Sequence, residues 1–293
     1  MGAKISYENI FDTATLYGTG GAGYYYVSYA LEAQAKALHT QQLKDAFRYD
    51  RTSLIIQMEL ADHSNPDALA MDLMGLLSMK MYNVAGDRIH GSVTGELQIS
   101  EWNDPDNTGA GTTTSYLPFT AWVPPNDQLE PHTFVELVRQ YDVVAIAVLV
   151  DYTAVTDFSY VDIGRLWLGS LWELPDGIDA KWEQTIQDDG SIIRSRGQQG
   201  FAETRQRYRV LDVNMGKIKE VDAFGDANDL TYPNLQDMYW QVGTTGDMII
   251  LPRTNSDHMI HKVGMYGHID KSTPIKHQAG EYYRSGFRVR ELV

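Results

Sequence analysis

The chain has 293 residues, 43% hydrophobic and 22% charged, long enough for one large β domain or two domains with packed cores. Its formal net charge of −15 and pI near 4.8 exclude the basic footprint that nucleic acid or an anionic membrane surface requires. It has no cysteine, which removes disulfides, thiolate nucleophiles and cysteine-ligated metal from consideration.

At the N-terminus, Met1, Gly2 and Ser6 fit the short myristoylation pattern, but no basic cluster nearby supplies a second anchor. No basic-then-apolar leader is read there. GTGGAG, Gly18 to Gly23, spells GxGxxG. A dinucleotide fingerprint needs a strand before it and a helix starting within it. The tyrosine-rich GYYYVSYA follows instead, so a flexible glycine loop is expected. Residues 30–48 are rich in helix formers and predict one short helix.

From Ser53 the texture changes. SLIIQMEL, GELQISEW, VVAIAVLV, RYRVLDVNM, DMIILPR and GFRVREL are short, β-branched or alternating runs separated by turn residues. They predict strands. DALAMDLMGLLSMKMY, from Asp67, reads equally as a helix or as a buried strand pair, with methionines as adaptable core filling. The longest apolar run, Val143 to Val150, is too short to cross a membrane. Two polar loops are expected, from Trp102 to Ser115 and from Val123 to Pro131. The first contains DPDNTG, half of a calcium loop, but the position of the closing glutamate is Ser115, so it reads as a turn.

His258, His261 and His268 would fall on opposite faces of a strand, and Gly264 and Gly267 argue against a helix, so no metal site is expected. No GxSxG, HExxH or P-loop exists. No catalytic residue is assigned, no cofactor is expected, and the chain reads as a non-enzyme.

The stretch IGRLWLGSLWELPDG, Ile163 to Gly177, places Trp167 and Trp172 an odd number of residues apart, so an unbroken strand would turn them to opposite sides. Gly169 and Ser170 allow a bulge or turn between them. Two readings stand: a β core or subunit interface, and a platform that stacks sugar rings. A basic cluster, Arg194, Arg196, Arg205, Arg207 and Arg209, stands out in this acidic chain. Arg205, Arg207 and Arg209 would share one strand face and could dock an acidic patch of a neighbouring subunit.

Ile163, Gly164, Arg165, Leu166, Trp167, Gly169, Trp172 and Pro175, followed by Arg207, Tyr208 and Arg209, give a pattern that resembles a family of tailed-bacteriophage virion proteins. The resemblance covers roughly residues 50–220. Its first half is similar to galactose-binding-like jelly rolls, although His63 and Asn65 are separated here by Ser64. It implies a structural subunit of a tail, baseplate or tail adaptor, resident in the virion and assembled in the bacterial host cytoplasm. The implied partners are further copies of the chain in a ring and other virion proteins. A receptor-facing carbohydrate-binding module is the alternative.

The expected architecture is mainly β, an antiparallel β-sandwich of jelly-roll type with a short N-terminal helix and extended arms. The expected divisions are an arm and helix over 1–52, a β-sandwich over 53–157 and a second β-rich region over 158–293.

Overall fold

The computed structural model describes residues 3–13, 15–16, 24–27, 36–39, 41, 43, 46–59, 69–90, 93–102, 112–122, 124, 131–174, 182–194, 200–203, 205–227, 229, 233–252 and 257–293. The glycine loop at 18–23 and the DPDNTG turn lie outside them. The chain divides into two compact units, Glu8–Leu171 and a second made of Met1–Tyr7 with Trp172–Val293. The first strand, β1 (Lys4–Ser6), belongs to that second unit.

The Glu8–Leu171 unit contains β2 (Thr15–Leu16), β3 (Tyr24–Val27), β4 (Phe47–Tyr49), β5 (Ser53–Glu59), β6 (Leu69–Leu77), β7 (Lys80–Asn83), β8 (Arg88–Ile89), β9 (Val93–Trp102), β10 (Thr112–Ala121), β11 (Thr133–Asp151), β12 (Phe158–Ile163) and β13 (Arg165–Gly169). The sheet of β10–β9–β11–β5–β3–β2 continues through β6 and β13, and all its pairs are antiparallel except β2 with β3. The long β11 makes this possible. Its leading end pairs with β6, its register slips between Glu136 and Tyr141, and its trailing end lies between β5 and β9. Such an irregularity lets one strand bend away from its first neighbour. β4, β12, β7 and β8 form a separate four-stranded sheet. Leu54, Ile56, Leu97, Ile99 and Val148 of the larger sheet share one core with Phe47, Met81, Val161 and Ile163 of the smaller. The architecture is mainly antiparallel β, of sandwich type.

The ambiguous run from Asp67 resolves into the strand pair. Leu69–Leu77 and Lys80–Asn83 belong to different sheets, separated by Ser78 at φ 55°. The Ser78 N–H donates to His132 Nδ1 at 3.2 Å, and the Met79 N–H to the Pro131 carbonyl at 3.1 Å. Those bonds hold a left-handed corner that a helix could not contain.

Of the helix expected over 30–48, residues 30–35, 40, 42, 44 and 45 lie outside the described residues. Within it the described residues hold only a 3-10 turn, Lys36–His39, while Phe47–Tyr49 is a strand paired with β12. Phe47 and Tyr49 turn inward around the exposed Arg48, whose Nε and Nη2 reach both oxygens of Asp162 at 2.7 and 2.8 Å. Burial of alternate aromatics outweighs the helix propensity of the segment. The loop expected from Trp102 to Ser115 is also shorter, since Thr112–Ser115 already belong to β10.

The units part between Leu171 and Trp172 rather than at 157/158. β12 pairs with β4 and β7, and β13 with β6, so the pattern beginning at residue 158 completes the first unit. The turn at 153–157 is a corner within that unit.

The second unit adds β14 (Trp172–Glu173), β15 (Glu183–Gln187), β16 (Ser191–Arg194), β17 (Gly200–Glu203), β18 (Tyr208–Lys219), β19 (Asp247–Leu251), β20 (Met265–Ala279) and β21 (Tyr282–Glu291). One antiparallel sheet runs β14–β1–β19–β20–β21–β18–β15, and β16 and β17 form a separate hairpin. Among the described residues, three helices lie here where only strands were expected: α1 (Glu220–Phe224), α2 (Leu235–Val242) and α3 (Asp257–Val263). Leu235, Met238 and Val242 of α2 share a core with Leu211, Val213, Ile250, Phe287 and Val289 of the sheet. Asn234 Oδ1 accepts the Asp237 N–H at 2.9 Å, and Gly243, at φ 52°, closes the helix. His258 and His261 lie on α3, and the Gly264 N–H donates to the Ile260 carbonyl at 2.9 Å. The glycine that argued against a helix is where it stops.

Candidate functional site

Trp167 is 1% exposed at the centre of β13. It stands opposite Gly75 of β6, and Gly75 stands opposite Phe134 of β11 on its other side. Directly opposed residues share a sheet face, so the missing side chain of Gly75 leaves room for both rings. Arg165, on the same face, sets its guanidinium 5.5 Å from the indole and pairs with Asp12. The free edge of β13 is closed by one side chain: Asn9 donates to the Leu166 carbonyl at 3.0 Å and accepts the Leu168 N–H at 2.9 Å. It takes the place of a neighbouring peptide.

Trp172 is 8% exposed and belongs to the core of the second unit, with Ile5 and Leu174. The two tryptophans therefore anchor different units across the short link Ser170–Leu171. The Leu171 N–H is held by Asp72 Oδ1 at 2.5 Å. At these exposures neither indole offers a face to a sugar ring, so the stacking platform finds no geometry here.

Arg205, Arg207 and Arg209 do not form one exposed face. β18 begins at Tyr208, so Arg205 and Arg207 precede the strand. Arg207 Nε contacts Asp188 Oδ2 at 2.9 Å, and that hydrogen bond, helped by the Gly190 N–H, holds the Asp188 carboxyl below its ordinary range. Arg209 is buried and bonded to Glu291. The expectation of alternate arginines assumed that the strand started three residues earlier. Arg194 ends β16, and Arg196 lies outside the described residues.

The exposed chemistry lies elsewhere, at the far end of β20, β21 and β18. Asp270–Pro274 and Lys276–Tyr282 are exposed in sequence, and Gly280 takes φ 60° at the turn. The β20–β21 register shifts three times, at Ile269/Lys271, Thr273/Lys276 and His277/Ala279, and β18 shifts against β21 between Met215 and Ile218. Bulges add twist. The three strands line a hollow of about 460 Å³ with Asn214, Thr273, Lys276, Gln278, Arg284 and Ser285. A neighbouring hollow of about 580 Å³ is lined by Lys217, Gln278, Ala279 and Tyr282.

The floor is fixed. Ser285 Oγ donates to the Thr273 carbonyl at 3.0 Å, Thr273 Oγ1 to the Gly286 carbonyl at 3.0 Å, and the Tyr239 hydroxyl reaches Ser285 Oγ at 3.1 Å. Gly286 is needed, because a Cβ there would lie 2.6 Å from the Val213 carbonyl oxygen. Burial pushes the Tyr239 phenol up to about 12, partly offset by its hydrogen bond to Ser285. Lys276 and Arg284 face each other in register, and among the described residues neither enters an ion pair. This surface can hold anionic and hydrogen-bonding groups. Beyond it, Trp240 on α2 is 79% exposed, and the half-exposed Phe224 meets Tyr283 edge-on at 5.1 Å. Strand alternation alone did not reveal the hollow, because it arises from register slips between three strands.

Among the described residues no group of three or more His, Asp or Glu side chains is placed to hold a metal ion. No family model matches the chain, and no curated protein does. Among solved structures, the chain is similar to CpGH89CBM32-5 from Clostridium perfringens in complex with GalNAc-beta-1,3-galactose, at 11% identity and a TM-score of 0.29, over 50% of this chain and 95% of that one.

Proposed function

We propose that the chain is a structural subunit of a tailed-bacteriophage virion, in a tail, baseplate or tail adaptor, and that it acts by self-assembly and protein contacts rather than catalysis. What carries this reading is where its distinctive residues go. Of the residues on which the resemblance rests, Ile163, Gly164, Arg165, Leu166, Trp167, Gly169, Trp172, Tyr208 and Arg209 are buried framework, Arg207 is exposed, and Pro175 lies outside the described residues. The exposed residues with binding chemistry gather instead on a bulged hairpin and on two aromatic-bearing helices, surfaces suited to protein contact. Its place would be the virion, after assembly in the host cytoplasm.

Mass photometry and negative-stain imaging of the purified chain test this. A defined oligomer or ring is expected. A protein that stays monomeric at all concentrations and binds glycans would reverse it.

A second reading, a receptor-facing carbohydrate-binding module, draws on the hollow itself. Asn214, Thr273, Gln278 and Arg284 are hydrogen-bonding groups suited to sugar hydroxyls, and Tyr282, 38% exposed, lies beside them. A glycan array with wild type and Arg284→Ala separates the two readings.

A further inference from the structure

Charge is divided unevenly between the two units. Residues 8–171 carry 21 acidic and 8 basic side chains, a net of −13, whereas the remainder carries 18 and 16, a net of −2. Within the near-neutral unit the cations concentrate at one end. Lys217 and Lys219 on β18, Lys271 and Lys276 on β20 and Arg284 on β21 are all exposed, with Glu281 the single carboxylate between Lys271 and Arg284. In the acidic unit, three exposed carboxylates lie around one end of the larger sheet, with the exposed Arg51 the one cation among them in the chain segments concerned. Asp151 pairs with Ser53 in the ladder, Asp50 lies three residues before Ser53, and Asp157 is in the turn that follows β11.

We infer that the β20–β21 hairpin, with its cation-lined hollow, docks onto the acidic Glu8–Leu171 unit of a second copy of this chain. The inference rests on the self-assembly reading above and names its surfaces. The occupant follows from the charges. A chain at −15 repels its own copies, so a contact that places opposite signs together is favoured, and this chain carries both partners of such a contact on different units. Because the two surfaces differ, the contact is head-to-tail, the kind that closes into a ring or runs on as a filament. The hollow supplies more than charge. Lys276 and Arg284 are opposed in register on a floor fixed by Ser285, Thr273 and Tyr239, so a carboxylate would meet cations already held by a rigid sheet.

The test uses the full chain, with Lys276→Glu/Arg284→Glu as the variant. Both side chains are exposed, so the variant should keep the wild-type circular dichroism and melting temperature. Sedimentation velocity across a salt series should show wild type associating best at low salt. The double variant should associate about tenfold more weakly or less, since two exposed attractions become repulsions. Zero-length carbodiimide crosslinking of mixed light and isotope-labelled chains should join Lys217, Lys271 or Lys276 of one copy to carboxylates within residues 8–171 of another. If the wild type associates but the variant does so equally, or if the mixed crosslinks join these lysines to residues 172–293, the hairpin is not the docking surface while self-assembly stands. A wild type that remains monomeric at every salt and concentration overturns both.

Discussion

Arg209 on β18 and Glu291 on β21 stand next to the Val210–Arg290 pair, and both are buried, at 3% and 5% exposure. Arg209 Nε donates to Glu291 Oε1 at 2.8 Å, Nη2 donates to the same oxygen, and the Arg209 backbone N–H donates to Oε2 at 2.8 Å. Nη1 reaches the Lys262 carbonyl at 2.8 Å, which ties the end of α3 to the pair. Each guanidinium nitrogen and each carboxylate oxygen of the pair therefore has a partner. Removing one leaves a buried charge uncompensated, so Arg209→Ala or Glu291→Ala should each cost about 3–5 kcal/mol. Arg209→Met combined with Glu291→Leu should cost less than either single change. Equilibrium urea unfolding measures all three, and losses below about 1 kcal/mol in the singles would contradict the buried pair.

Trp167 fills the space over Gly75 together with Phe134. Trp167→Ala should cost about 3–5 kcal/mol, as expected for a fully buried large side chain. Trp167→Phe should recover part of that loss, because it restores part of the buried aromatic volume. Thermal melts and soluble yield report the outcome, and an unchanged melting temperature for the alanine variant would mean that the indole is not core.

Asn9 closes the edge of β13 through its side-chain amide. Asn9→Ala strands the buried Leu168 N–H and the Leu166 carbonyl, at about 1–3 kcal/mol for each group left unmet. Asn9→Asp keeps the acceptor for Leu168 but sets a buried carboxylate oxygen against the Leu166 carbonyl and Asp12 Oδ1, so at neutral pH it should cost at least as much in overall stability. Amide hydrogen exchange at Leu168 should quicken in the alanine variant and stay slow in the aspartate variant.

Tyr239 lies under the hollow with its phenol pushed up to about 12 by burial. An unfolded tyrosine ionises near 10, so between about pH 10 and 12 the unfolded chain releases this proton while the folded chain retains it. The stabilisation from the neutral phenol is complete below pH 10 and is lost as pH rises through 12. Tyr239→Phe should be less stable at neutral pH, having lost the Ser285 hydrogen bond, yet should show a shallower fall in stability over that alkaline window. Unfolding curves collected across it decide the matter, and identical slopes would refute the assignment.

The strands were legible because alternation is local. SLIIQMEL, GELQISEW, RYRVLDVNM and DMIILPR fall on β5, β9, β18 and β19. Inward and outward positions alternate on β5, β9 and β18 from Leu211, whereas β19 is a continuous apolar run buried on both faces. The caps of α2 were equally present in Asn234, Asp237 and Gly243, and went unread because the surrounding strand texture dominated. The Asp257–Val263 helix departs from the sequence expectation for a related reason, since Gly264 could either break a helix or end one.

The amino-acid sequence by itself determined a cysteine-free, acidic, mainly antiparallel β protein, and left Trp167 and Trp172 open between core anchors and a sugar-stacking platform. Only the tertiary structure decided that both are core anchors and serve different units, that β1 joins the sheet of the C-terminal unit, and that Arg209 is buried while Arg207 is exposed. The physical reason is range. A hydrophobic period is set by residues two apart, whereas Arg209 meets Glu291 across 82 positions and Asn9 meets Leu166 across 157. Such pairings depend on the register of whole strands, which is fixed only when the sheets assemble around their cores.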